Sequence, residues 1–390
     1  MNRIVIGTIV LLASLAQAQQ CRARASWPTE KWPEALVNTT AKAAEIKALE
    51  DYAFTIVGKP EERKGYRTNG LVVVKNGAIV YEKYARGWDE NKRHLSWSVA
   101  KSVSSTLVGV AVNQGLMTLD ESLCKQLPEY QSDPVVCGIT VKNIISFGSG
   151  LQWQEEYEDA GYQVSSVLAM LLGSGHKDQV KHVLTHRKLR EPGTQFVYST
   201  GDAHIVGTLA KRALTAKHGA TAFWTQLFEP IGMKRVVFEE DPAGNPLGGS
   251  YVYATPRDFA KLGYLMLNDG CWNDQRLLPV GWVQQATAVS DTFRANRGDC
   301  TDSTPAGEYK LPCEETPNGY MWWLNRPPAA GVEKPWKDAP DDTYAALGHW
   351  GQRIIVIPSE DLVIMRVGDD REGSIPVNDL VKFVLPVVKP

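Results

Sequence analysis

His94-Leu95-Ser96-Trp97-Ser98-Val99-Ala100-Lys101-Ser102-Val103 sets a serine and a lysine three residues apart at the start of an apolar-periodic run. At 3.6 residues per turn, positions i and i+3 share one helix face, so the Lys101 amine can reach the Ser98 hydroxyl. A hydroxyl within reach of a base is what an activated nucleophile requires. Val99, Val103, Leu107 and Val110 form the stripe that buries this helix, with Ser96 as the expected N-cap and the Ser98/Lys101 edge at the N-terminal mouth. The partial positive charge of a helix start disfavours an ammonium and favours an oxyanion, which pushes a lysine there toward its neutral, proton-accepting form. A lone S-x-x-K tetrad also arises by chance on solvated helix surfaces, so the rest of the chain must supply its partners.

Upstream, residues 40–53 are rich in helix formers and predict a first helix. Leu71-Val72-Val73-Val74, an Asn76-Gly77 turn and Ala78-Ile79-Val80-Tyr81 then give a strong hairpin signal. From Ser98 to about Ala288 the pattern is helical, punctuated by glycine and proline. Asp202 is a candidate cap for a helix over 203–211, and Thr255-Pro256 predicts a cap followed by proline at the first helical position. The last third returns to strands at 321–324, 353–357 and 362–367 and closes on an apolar helix over 377–385. The expected architecture is an α/β fold of the α+β type: an antiparallel sheet flanked by helices, built from both ends of the chain, with a mostly helical lobe inserted. In residues, 19–97 and 300–390 form the sheet lobe, 98–299 form the helical lobe, and the crevice between them is the expected pocket.

At 390 residues with 43% hydrophobic content, the chain has ample material for a core. A net charge of -2 with interspersed signs leaves no electrostatic footprint for nucleic acid. Met1-Asn2-Arg3, the apolar stretch Ile4–Leu15 and Ala16-Gln17-Ala18 read as an export signal over residues 1–18, cut after Ala18, giving a secreted or periplasmic protein. No later segment has the uninterrupted apolar length of a membrane span. Six cysteines in an exported chain read as disulfides: Cys124 with Cys137 and Cys300 with Cys313 as short-range bridges, and Cys21 with Cys271 as the remainder.

Two further segments supply candidate partners for the tetrad. Tyr198 stands in Val197-Tyr198-Ser199-Thr200-Gly201-Asp202 on a short extended piece ahead of a helix, and Gly348-His349-Trp350-Gly351-Gln352 precedes a strand. Together with Gly249-Ser250-Tyr251-Val252-Tyr253-Ala254-Thr255-Pro256-Arg257-Asp258 and Asn268-Asp269-Gly270, in this order, these segments resemble the penicillin-recognising serine hydrolases: class C β-lactamases, serine DD-peptidases and related esterases and amidases. Within them the chain is most similar to the 6-aminohexanoate-dimer hydrolase and esterase branch, over roughly residues 60–385. The resemblance implies that Ser98 is acylated, Lys101 is or supports the general base, and Tyr198 relays the proton to the leaving group. It also implies an oxyanion hole from the backbone N–H groups of Ser98 and Gln352, with His349 and Gly351 in the third motif. Trp350 at the mouth would contact an acyl chain, and Tyr157 matches a loop tyrosine that touches substrate in the amidase branch. The plainer alternatives are a core tyrosine for Tyr198, a loop-shaping histidine for His349 and a lobe-packing aromatic for Tyr157.

Two departures bear on substrate. Tyr198-Ser199-Thr200 stands where β-lactamases carry Tyr-x-Asn, and His349-Trp350-Gly351 where they carry Lys-Thr-Gly. Histidine is mostly neutral near pH 7, so the fixed cation that meets a β-lactam carboxylate is missing. The expected activity is therefore hydrolysis of a small ester or linear amide, with β-lactamase or DD-peptidase chemistry as the alternative and a non-catalytic ligand sensor as the rival of another class. No cofactor and no metal is called for. His182 and His186, at i and i+4, sit among Lys181, Arg187 and Lys188 and read as a basic helix face. The twelve tryptophans read mainly as core.

Overall fold

A computed structural model describes residues 21–157, 165–298 and 314–389. Helix α1 (Ala43–Phe54) leads into strands β1 (Thr68–Lys75) and β2 (Ala78–Tyr84). Asn76 and Gly77 between them both take positive φ, 52° and 82°, the turn whose twist matches a two-residue hairpin. A two-residue strand β3 (His94–Leu95) delivers the chain to α2 (Val99–Asn113). Short helices follow, then α3 (Thr200–His218), β4 (Val237–Phe238), β5 (Val252–Ala254) and α4 (Pro256–Leu267). The chain ends with β6 (Trp323–Leu324), β7 (Tyr344–Gly348), β8 (Gln352–Ile357), β9 (Leu362–Gly368) and α5 (Val377–Val388).

Six strands pair antiparallel in the order β2-β1-β9-β8-β7-β6, so the N-terminal hairpin and the C-terminal strands share one sheet. The period-2 alternation of the strands sorts their side chains into two cores. Leu71, Val73, Ile355, Ile357, Leu362 and Ile364 face α1 and α5, meeting Leu49, Leu380, Val381 and Val384. Val72, Val74, Ile354, Val356, Val363 and Met365 point the other way, into the core that contains α2, α3 and α4. Helix α4, from the middle of the chain, packs directly on the sheet: its Gly263 comes close enough to Val363 and Ile354 that a Cβ would lie 2.7–2.8 Å from their methyl groups.

The strand at Tyr344–Gly348 and the small sheet β3-β5-β4 are additions to the sequence-based picture. The expected strand at 321–324 shrinks to two residues because Met321 takes a φ of 59°. Helix α2 also differs from an amphipathic stripe, being buried from Val99 to Ala111. Its polar face is satisfied inside the protein: Ser102 donates to the Met321 carbonyl at 2.6 Å, Ser104 to Gly248 at 2.9 Å and Ser105 to Tyr320 at 2.7 Å.

Disulfides join Cys124 to Cys137 and Cys21 to Cys271. Cys300, Cys313 and the export signal at 1–18 lie outside the described residues. Among the described residues, no helix is long and apolar enough to cross a membrane.

Candidate active site

The approach to Ser98 is bent. Trp97 adopts a left-handed φ of 46°, and the Ser96 hydroxyl, the expected N-cap, is used elsewhere: it donates to the Ser250 carbonyl at 3.1 Å and accepts from Val252 N–H at 3.2 Å. Ser96 thus pins the entry of α2 to β5 rather than capping the helix. Ser98 occupies the cap position with no side-chain capping bond, which leaves its hydroxyl free for chemistry.

Lys101, 2% exposed, lies one turn further. Its Nζ is 2.9 Å from Ser98 Oγ and donates to Thr200 Oγ1 at 2.8 Å and to the Gly249 carbonyl at 2.9 Å. Burial lowers its pKa to about 8, and the Glu155 carboxylate opposes that shift. A neutral amine in this position uses its two N–H bonds on Thr200 and Gly249, which aims its lone pair at the Ser98 hydroxyl.

Tyr198 stands on the other side of the nucleophile. Its ring packs between Phe147 (centroids 5.0 Å apart) and Trp323 (5.4 Å), and Lys101 Nζ lies 4.8 Å from its centroid. Burial and the nearby Glu155 charge raise the phenol's pKa well above its ordinary value, against a smaller opposing hydrogen-bond contribution from Ser98. The phenol is therefore a resting proton donor at neutral pH. The following helix is capped by Ser199, whose hydroxyl accepts from Asp202 N–H at 2.9 Å, so Asp202 is a first-turn residue and not the cap.

Glu155 and Thr200 belong to this cluster, and sequence reasoning did not assign either to it. Glu155 accepts from the Thr200 hydroxyl, from Thr200 N–H at 2.9 Å, from Trp153 Nε1 at 2.6 Å and from Tyr157 OH at 3.2 Å. Thr200, seen in the sequence as a departure at the third motif position, is the link between this carboxylate and the lysine. The stretch Trp153-Gln154-Glu155 carries no spacing that marks its carboxylate.

The third motif closes the cleft from the sheet side. Gln352 opens β8, and its side chain donates to the carbonyls of His349 (3.0 Å), Trp350 (3.2 Å) and Gly368 (2.9 Å), fixing the loop ahead of its own backbone N–H. Trp350 has a φ of 56° and Gly351 one of 87°. A Cβ on Gly351 would lie 2.0 Å from Arg366 Nη1 and 2.3 Å from Asp370 Oδ2, members of a fully buried ion pair, so glycine is required there. Trp97, His349, Trp350 and Tyr157 form one aromatic cluster: Trp97 meets Trp350 at 4.8 Å and His349 at 5.3 Å, and Tyr157 stacks on His349 at 5.4 Å. Tyr157 is thus brought to the cleft. His182 and His186, whose rings meet at 5.0 Å, are both partly buried, His186 against Trp153 at 5.8 Å, rather than fully solvated.

A family model described as Beta-lactamase matches residues 55–373. The 6-aminohexanoate-dimer hydrolase of Paenarthrobacter ureafaciens is 23% identical over 307 residues, covering 77% of this chain and 72% of that protein. A Bacillus anthracis structure provisionally named a 6-aminohexanoate-dimer hydrolase aligns with a TM-score of 0.65 at 18% identity, over 94% of this chain and 88% of that one. A family VIII carboxylesterase aligns with a TM-score of 0.58 at 15% identity, over 91% and 99%. At these identities the structural likenesses speak for the fold, which is that of the β-lactamases and transpeptidases.

Proposed function

The chain belongs to the beta-lactamase family of serine hydrolases, and from that premise we propose that it cleaves a small ester or linear amide through an acyl-enzyme on Ser98. Neutral Lys101 takes the Ser98 proton as Oγ attacks the carbonyl carbon. The resulting oxyanion is received by the backbone N–H groups of Ser98 and Gln352. Tyr198 hands a proton to the departing alcohol or amine and regains one from the Lys101 ammonium, leaving the ester on Ser98. Water activated by the same pair then attacks, releasing the acid and restoring the serine. The observation that carries this reading is the two-way hold on Lys101 by Thr200 and Gly249, which leaves one direction on its nitrogen for the Ser98 hydroxyl, 2.9 Å away. Its lowered pKa, with the raised pKa of Tyr198, favours lysine as the base and tyrosine as the donor.

In this reading the sheet lobe (19–97 and 300–390) supplies the third motif and the helical lobe (98–299) the other two, with the substrate between them. The aromatic faces of Trp97, Tyr157, His349 and Trp350 support an apolar acyl chain over a charged bicyclic antibiotic. The paired cysteines fit an exported protein, for which the leader at 1–18 is the proposed address.

The test is turnover of a nitrophenyl ester series, a 6-aminohexanoate dimer and a chromogenic cephalosporin by the wild type and Ser98→Ala, with intact mass read in parallel. Ester or dimer hydrolysis that falls about 10⁴-fold in the variant, with an acyl adduct on the wild type alone, is the expected result. Equal hydrolysis by both proteins rejects Ser98 as the nucleophile. Cephalosporin turnover without ester or dimer turnover rejects the substrate class.

A further inference from the structure

Trp97 and Trp350 are also a wall of a second cavity, of about 490 Å³, on the side where β1 begins. Its chemistry is unlike that of the catalytic cleft. The guanidinium groups of Arg67, Arg86 and Arg93 line it, and Asp369 is the one carboxylate among its described lining residues. That carboxylate already accepts from Arg371 Nε at 2.8 Å and lies 3.9 Å from Arg67 Nε, beyond hydrogen-bonding reach. Nearby, Asp370 is engaged by both terminal nitrogens of Arg366 and by the Arg67 backbone N–H at 2.6 Å, so its charge only partly offsets that of Arg86.

The Arg86 guanidinium is held in place. Asn69 accepts from Arg86 Nε at 3.0 Å through its oxygen and meets His94 Nε2 at 2.8 Å through its nitrogen. Because His94 Nδ1 faces the Leu95 carbonyl at 3.0 Å, the imidazole is a neutral acceptor toward Asn69, and burial lowers its pKa further. Arg67 is 8% exposed, yet its Nε and Nη1 reach no hydrogen-bond acceptor among the described residues, and neither does Nη1 of Arg86. Burial, together with the charge of Arg67, lowers the pKa of Arg86 to about 10. Buried N–H donors without acceptors, on two mutually repelling cations, are unfavourable unless a negative group completes them.

We propose that this cavity is a subsite for a free carboxylate that the substrate carries away from its scissile bond, received by Arg67, Arg86 and Arg93, with an apolar spacer lying on the indoles of Trp88, Trp97 and Trp350. The carboxylate supplies the missing acceptors and the charge balance, and a planar oxyanion matches the fork of a guanidinium. Trp97 precedes Ser98 and Trp350 precedes Gly351-Gln352, so the two indoles that wall the subsite are carried by the segments that bear the nucleophile and the oxyanion donors. The inference deepens the hydrolase reading and rests on it only in making the bound anion part of the substrate.

Two measurements test it separately from that reading. In calorimetry on Ser98→Ala, hexanoate is expected to bind and hexanamide not to, with hexanoate affinity falling at least about tenfold when Arg67→Gln or the exposed rim substitution Arg93→Gln is added. Equal binding of the two probes, or hexanoate affinity unchanged by both substitutions, overturns the subsite. In kinetics, nitrophenyl hydrogen adipate is expected to exceed its methyl ester at least about tenfold in kcat/KM, the ratio collapsing toward one in Arg93→Gln. A ratio near one in the wild type overturns the proposal even where both esters are hydrolysed, leaving the serine hydrolase reading intact. No turnover of either ester overturns that reading instead, while hexanoate binding stands or falls on its own.

Discussion

Lys101 and Glu155 make a prediction that belongs to single side chains. With the lysine pKa lowered to about 8, the amine is protonated and inactive as a base below that value and neutral above it. The kcat/KM profile is therefore expected to rise with pH through an acid limb near 8 and then level off. Because the Glu155 carboxylate raises the lysine pKa, Glu155→Gln should move that limb to lower pH; a limb that stays put or moves upward refutes the coupling. Tyr198→Phe should lower the rate about 10²-fold without moving the limb. At this scale the sequence was legible where chemistry repeats in a short motif. Ser98, Lys101 and Tyr198 stand out because spacing and order name them, whereas Glu155 reaches the lysine through Thr200, a residue 45 positions further along the chain. Trp350 was named for the mouth of the cleft by its motif, whereas Trp97 was hidden for another reason, since a tryptophan outside such a motif reads as core whether it fills one or walls a cavity.

Elements follow their local signals except where packing overrides them. The Asn76-Gly77 turn and the Thr255-Pro256 helix start are read correctly from the residues because the conformations they need are rare and specific. Strand β7 is invisible beforehand because Tyr344-Ala345-Ala346-Leu347 neither alternates nor is rich in β-branched residues; its conformation is imposed by pairing with β8. The caps at Ser96 and Asp202 are misread because each lies beside a competing hydroxyl or a backbone bend that the sequence does not announce. The loop entering β8 gives the prediction at this scale. Gly351→Ala meets both a left-handed φ and the Arg366–Asp370 pair, so its unfolding free energy should drop by about 3 kcal/mol or more. Gly331→Ala, at a φ of 78° with nothing within 4 Å of its Cβ, should cost only about 1 kcal/mol. Equal losses in denaturant melts would show that the close approach to Arg366 is not what demands glycine.

At the scale of the whole molecule, the N-terminal segment straps the sheet to α4. Cys21 is bonded to Cys271, and Arg24 reaches Asp361 at 2.5 Å and Asn268 at 2.6 Å. Replacing both cysteines by serine should lower stability by about 2–5 kcal/mol, seen as a reduced melting temperature, with turnover per folded molecule retained. Unchanged melting would mean that the polar contacts of Arg24 hold the strap unaided. The shared sheet of two chain ends was anticipated from strands flanking a helical middle, but the placement of α4 on that sheet was not, since its apolar face fits either lobe equally well.

The strap also dictates a schedule. Its two sulfurs are separated by 250 positions along the chain. A ribosome adding about 5–20 residues per second leaves the first thiol waiting on the order of 10–50 seconds for its mate. Throughout that interval any bond the early thiol makes with another cysteine is premature, and the native bridge then forms only by thiol–disulfide exchange.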